Sequence, residues 1–145
     1  MPEICIIPIR TVDAIYPQVY HLREEILRKP LGLSLANEDL SDDAKDMIFI
    51  VLQQGNVIAC LMLRTINLER IKLRQMAVAT AWQGKGIGKM LVHHAENYCK
   101  LAGYKQIELH ARKHAVPFYE NSGYKIEGGM FTEVNIPHFK MLKLL

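Results

Sequence analysis

The stretch "QGKGIGKMLVHHAENYCK", Gln83 to Lys100, alternates Gly84, Gly86 and Gly88 with Lys85 and Ile87, then runs on from Lys89 in a helix-like pattern. A helix start carries unpaired N–H groups and a partial positive charge, so it can hold an anion. Glycine lets that anion reach the backbone itself. Other residues could move protons. Glu108 and His110 share one face of "QIELHAR" by strand alternation, and Glu133 and His138 lie near the C-terminus. Phe118 and Tyr119 are neighbours in a short helical segment. Adjacent helical residues point about 100° apart, so one ring can pack while the other faces a cleft.

The common phosphate motifs do not explain the glycines. A dinucleotide fingerprint G-x-G-x-x-G starting at Gly84 meets Lys89 in its last place. A P-loop fails as well, because Gly88-Lys89 has Gln83 five places earlier and Met90 after it. What remains is Q-x-x-G-x-G: Gln83, Gly86 and Gly88.

The surrounding pattern predicts the elements that position this loop. "ICIIPI" reads as a strand, at an edge or strand end because of Pro8. Ile15, Val19, Leu22 and Ile26 predict a helix over 14–28, with Pro17 in its first turn. "KPLGLSLANEDLSDDAKD" reads as an acidic, solvated loop with a short helix near 41–45. "MIFIVLQ" and "NVIACLMLRTI" flank a Gln54-Gly55 hairpin, and "IKLRQMAVA" gives the strand before the glycines. A helix over 88–102 stops at Gly103. "QIELHAR" follows as a strand and "AVPFYENS" as a short helix, and "YKIEGGMFTEV" and "HFKMLKL" close the chain as strands. The order is β-α-β-β-β-α-β-α-β-β, an α/β (α+β) fold with some parallel pairing in a mostly antiparallel sheet.

Q-x-x-G-x-G between a strand and an amphipathic helix resembles the pyrophosphate-binding signature of the GNAT superfamily of acetyl-CoA-dependent N-acetyltransferases. "AVPFYENSGY", Ala115 to Tyr124, is similar to that family's A-x-x-F-Y-x-x-x-G-[FY] segment. The tail "FTEVNIPHFKM" resembles the E-x-x-I-P-H-x-x-M pattern of the small ElaA-like branch. The resemblance covers nearly the whole chain. It implies a mixed, mostly antiparallel central sheet with helices on both faces.

It also implies roles for named residues. Gln83, Gly84, Lys85, Gly86, Ile87, Gly88 and Lys89 would hold the pyrophosphate, largely through N–H groups. Met76, Ala77 and Val78 would pair with the pantetheine as a strand does, in a gap where that strand splays from the next. The Val78 N–H would serve the developing oxyanion, and Tyr119 would be the acid for the leaving thiolate. With a phenol pKa near 10 and a thiol near 8.5, that proton transfer is uphill by roughly 2 kcal/mol. The acceptor would be a primary amine on a small molecule or peptide, attacking directly in a ternary complex. The family's glutamate base maps to Lys72 and a common asparagine maps to Arg112, two departures that leave Glu108, His110, Glu133 and His138 as candidate bases.

Length and composition agree with a small ligand. The 145 residues fit one domain, residues 1–145. Half of them (50%) are hydrophobic and 23% charged, as in ordinary globular domains. A net charge of +3, with no basic aromatic stripe, argues against nucleic acid. No apolar run spans a bilayer and no signal-peptide pattern opens the chain, so the expectation is a cytoplasmic protein with no membrane partner. Cys5, Cys60 and Cys99 read as buried free thiols. His110 and His114 straddle a strand end and a helix start, so no metal is expected. A homodimer is left open, and an acyl-CoA-binding sensor without turnover is the competing function. Glu38, Asp39, Asp42 and Asp43 could attract a cationic amine, although a solvated acidic loop is the simpler reading.

Overall fold

The computed structural model describes residues 3–145. Strands β1 (Cys5–Ile9), β2 (Met47–Gln53), β3 (Asn56–Thr65), β4 (Arg70–Val78), β5 (Gln106–Arg112), β6 (Lys125–Ile126), β7 (Phe131–Glu133) and β8 (Ile136–Leu144) join one sheet. Its order is β1-β2-β3-β4-β5-β8-β6, with β7 also on β8. Among the described residues only β4 and β5 run parallel, joined by the crossover helix α2 (Ile87–Leu101). Pro8 sits in the edge strand β1, where a residue without an N–H is tolerated.

Helices cover both faces, which is why β2 and β3 read as nearly unbroken hydrophobic runs. Phe49, Val51, Leu61 and Leu63 pack in the cluster that holds Leu91, Val92, Ala95 and Cys99 of α2. Ile48, Ile50, Cys60 and Met62 point the other way, with Val19 and Leu22 of helix α1 (Tyr16–Arg23). The Gln54-Gly55 turn has φ of 50° and 78°, left-handed at both places as a two-residue hairpin requires. Helix α3 (Val116–Glu120) follows β5.

Four expectations need correction. The helix predicted over 14–28 is α-helical only to Arg23 and continues as a π turn over Glu24–Arg28. The single strand expected in "YKIEGGMFTEV" is two, β6 and β7, because Gly128 with φ 83° breaks the extended run. The acidic loop is only partly solvated: Asp43 and Asp46 are buried. Cys60 and Cys99 are buried, whereas Cys5 is exposed.

Candidate active site

β4 and β5 pair only as far as Leu73 opposite Leu109. Beyond that β4 carries a bulge: Cys60 and Met62 of β3 face Ala77 and Arg74, one extra residue on β4. Gln75 takes up the extra length with φ of 53°. A bulge bends its strand, and here β4 leaves β5. Gln75 is held by its side-chain oxygen, which accepts from Arg23 Nε at 3.3 Å and Arg28 Nη2 at 3.4 Å. The fork opens into a cavity of about 1420 Å³.

The open edge of β4 offers main-chain groups. The Ala79 N–H donates to the Ile58 carbonyl at 2.8 Å, so strand alternation turns the N–H and C=O of Val78 away from β3, toward the gap. The Val78 carbonyl accepts from Gln83 Nε2 at 2.9 Å. Its N–H is left facing the cleft. Gln83 therefore ties the loop to β4 through its side chain.

That backbone is unpartnered. Among the described residues, no N–H from Gly84 to Lys89 has a protein acceptor, and α2 has no side-chain cap and no acid in its first turn. Gly84 and Gly86 have φ of 73° and 81°, and a Cβ at either would meet open space. Conformation dictates glycine there. Gly88 differs: a Cβ would lie 3.0 Å from Met76 Cε and 3.5 Å from Phe118 Cζ. Its absence lets the first turn of α2 sit against β4 and α3. Ile87 anchors this turn in the core. Lys89 lines the cavity, and Lys85 Nζ lies 5.3 Å from the Trp82 ring centre.

Tyr119 is 8% exposed, yet it lines the cavity, where its hydroxyl donates to Met76 Sδ at 3.5 Å. Phe118 lines it too, so packing and cleft are not divided between the two rings. Burial pushes the Tyr119 phenol up to about 12. Against a thiol at 8.5 its proton transfer would then be uphill by about 5 kcal/mol, more than the sequence suggested. The same burial raises thiols, as Cys60 and Cys99 show at about 12, and a desolvated leaving sulfur would close most of that gap.

The four candidate bases come together from three strands. Glu133 Oε1 lies 3.0 Å from His110 Nδ1, and Glu133 Oε2 lies 3.7 Å from His138 Nε2. Glu108 Oε2 is 3.8 Å from His110 Nε2. His110, Glu133 and His138 line the cavity, whereas Glu108 is bound by Arg70 at 3.1 Å and Lys140 at 3.3 Å and stays outside it. Burial raises the Glu133 carboxyl, but the His110 hydrogen bond and the charges of His110, His138 and Lys72 outweigh it and hold it below the usual range. Among the described residues no three His, Cys, Asp or Glu side chains converge as metal ligands would.

An ionic framework that sequence reasoning missed holds the opposite wall. Asp43 pairs with Arg23 at 2.9 Å, Arg64 at 3.1 Å and Arg74 at 3.0 Å. Asp46 pairs with Arg64 at 2.7 Å and Arg74 at 2.6 Å. Glu38 takes Arg28 at 2.6 Å. Neither Asp43 nor Glu38 is thus a free attractant for a cationic amine. These charges lie from 10 to 31 residues apart in the chain and give no local pattern, so only the packing of the loop against α1, β3 and β4 reveals them.

Comparison with known proteins decides the family. The sequence model described as "Acetyltransferase (GNAT) domain" matches residues 23–145. The chain belongs to the GNAT acetyltransferase family. It is 25% identical to YjcF of Bacillus subtilis over 132 residues, 86% of this chain and 89% of YjcF. YyaT of the same organism is 33% identical over 72 residues, 50% of this chain and 49% of YyaT; the chain thus spans about half of that curated relative. Escherichia coli ElaA superposes with a TM-score of 0.86 over 97% of this chain and 99% of its own, at 17% identity. A GNAT family acetyltransferase from Elizabethkingia anophelis, solved with acetyl-CoA bound, is 18% identical with a TM-score of 0.76 over 98% of each chain. These last two likenesses establish the fold. Among the described residues no helix is long and apolar enough to cross a membrane.

Proposed function

We propose that this GNAT protein moves the acetyl group of acetyl-CoA to a primary amine by direct attack in a ternary complex. The observation that carries the reading is the run of unpartnered N–H groups from Gly84 to Lys89, beside a gap in the sheet edged by main chain. An uncapped helix start with left-handed glycines suits a pyrophosphate, and the open edge of β4 suits an extended amide chain. Acetyl-CoA, when bound, supplies the thioester.

The protein residues do the rest. Met76 and Val78 hold the carrier as an added strand would. The Val78 N–H is the donor offered to the acetyl oxygen; such a preorganised donor is typically worth about 3 kcal/mol in the barrier. His110, oriented through Nδ1 by Glu133, takes the proton from the incoming ammonium, directly or through water. Tyr119 returns a proton to the departing sulfur, and its burial keeps water from replacing it.

An amine panel followed by free-thiol release from acetyl-CoA tests the proposal. Release that depends on the amine supports it. Tight acetyl-CoA binding with no release for any amine would instead favour the acyl-CoA sensor.

A further inference from the structure

Lys72 and Arg112 both line the cavity, both are partly buried, and neither has a carboxylate within ion-pair distance among the described residues. Their neighbours differ. Arg28 is matched by Glu38, and Arg74 by Asp43 and Asp46. Glu133 is the remaining acid of the cavity, and its oxygens lie against His110 and His138. The acceptor half therefore holds two cations that feel the charge of Glu133, and in the case of Lys72 also that of Glu108, but that make no close ion pair, beside a Glu133 carboxylate that two imidazoles share.

Alternation places these cations away from the carrier's phosphates. Ile71, Leu73, Leu109 and Ala111 pack in the cluster shared with α2. Lys72 and Arg112 consequently project from the opposite face of the sheet, the α1 side. Arg112 reaches to the end of the π turn, donating from Nη2 to the Leu27 carbonyl at 2.7 Å. That bond fixes the guanidinium plane and leaves its remaining donors for a ligand. Burial lowers the proton affinity of both side chains, the cost of cations that water solvates poorly.

We infer that the acceptor amine also carries a carboxylate, which the Arg112 guanidinium binds on the α1 side of the cleft, with Lys72 adding positive charge to the same wall. A planar carboxylate matches the guanidinium fork, and an acceptor with a second cation would meet like charge there. This rests on the transfer reading above, and it narrows the substrate to carboxylate-bearing amines such as amino acids.

The test uses matched acceptors with the full chain: phenylalanine against phenethylamine, and 4-aminobutyrate against butylamine. Thiol release should favour the carboxylate member of at least one pair by tenfold or more in kcat/KM, chiefly through KM. In Arg112→Gln that preference should fall toward one, while Arg112→Lys, which keeps the charge but not the fork, should retain part of it. Acetyl-CoA affinity by calorimetry, within a few-fold of wild type, certifies that each variant is folded. If Arg112→Gln fails that check, Lys72→Gln takes its place with the same reduced preference expected. Transfer with no preference for the carboxylate members, or a preference untouched by both variants, overturns the inference and leaves the transfer reading standing. Acetyl-CoA binding without release to any amine overturns both.

Discussion

At the start of α2 the cleft is lined by main chain, and at the fork of β4 and β5 it is lined by polar and charged side chains. The first surface consists of N–H groups fixed by left-handed glycines and a helix terminus. The second is an assembly of Arg28, Lys72, His110, Arg112, Glu133 and His138, drawn from the π turn, β4, β5, β7 and β8. A backbone surface recognises a group that never changes, such as a diphosphate. A side-chain surface can change one residue at a time without losing the fold. On the proposed transfer reading, carrier binding and acceptor choice are separable for that reason.

Breaking the framework behind the acceptor wall should have the largest effect. Asp43→Ala leaves Arg23, which is 0% exposed, without its carboxylate. Uncompensated buried charge typically costs about 3–5 kcal/mol, and chemical denaturation should show a loss of that size. A loss below about 1 kcal/mol would mean that the wall does not depend on this network.

Tyr119→Phe comes next, because it sits where the two surfaces meet. Removing the hydroxyl leaves the ring packing, so the fold and acetyl-CoA affinity should persist within a few-fold. Turnover should fall by about one to three orders of magnitude on any amine that is acetylated. Unchanged turnover in a chemistry-limited assay would return Tyr119 to the core aromatics.

On the backbone side, Gly86→Val imposes a β-branched residue at φ 81°, where an added Cβ meets no protein atom within 4 Å. The protein should stay folded and lose acetyl-CoA affinity by tenfold or more in calorimetry. Lys85→Ala, at an exposed side chain, should change it by less than about threefold, as expected for a screened surface charge. The reverse ranking would mean that charge rather than main chain holds the carrier.

The smallest effect concerns pH. The folded Glu133 carboxyl lies below its ordinary value of 4.5, so its contribution to stability is present above pH 4.5 and is lost as pH falls through the lower folded value. Glu133→Gln should therefore flatten the acid limb of the stability curve slightly and leave neutral pH nearly unchanged. An acid limb identical to wild type would show that the His110 and His138 contacts do not persist in solution.

The two surfaces also differed in how far the sequence revealed them. Gly84, Gly86 and Gly88 were legible because the φ values and the close approach they serve are local demands that few residue types meet. The same holds for the Gln54-Gly55 turn and for Pro8 at the sheet edge. Gln75 gave no signal: glutamine is not a residue that φ of 53° selects, and it is stabilised by arginines 47 and 52 residues away. Glu108, His110, Glu133 and His138 were each visible as candidates, but not as one cluster, since the β5–β8 and β7–β8 registers together join them. Nor did sequence distinguish Glu108, which two cations hold outside the cavity.

The most direct measurement is calorimetric titration of acetyl-CoA, NAD and ATP into the wild-type protein and Gly86→Val. If the unpartnered N–H groups from Gly84 to Lys89 hold the carrier, acetyl-CoA binds the wild type with one site, NAD and ATP bind at least tenfold more weakly, and Gly86→Val loses acetyl-CoA while remaining folded. Equal or tighter binding of NAD or ATP, or a folded Gly86→Val that binds acetyl-CoA as the wild type does, would contradict the account.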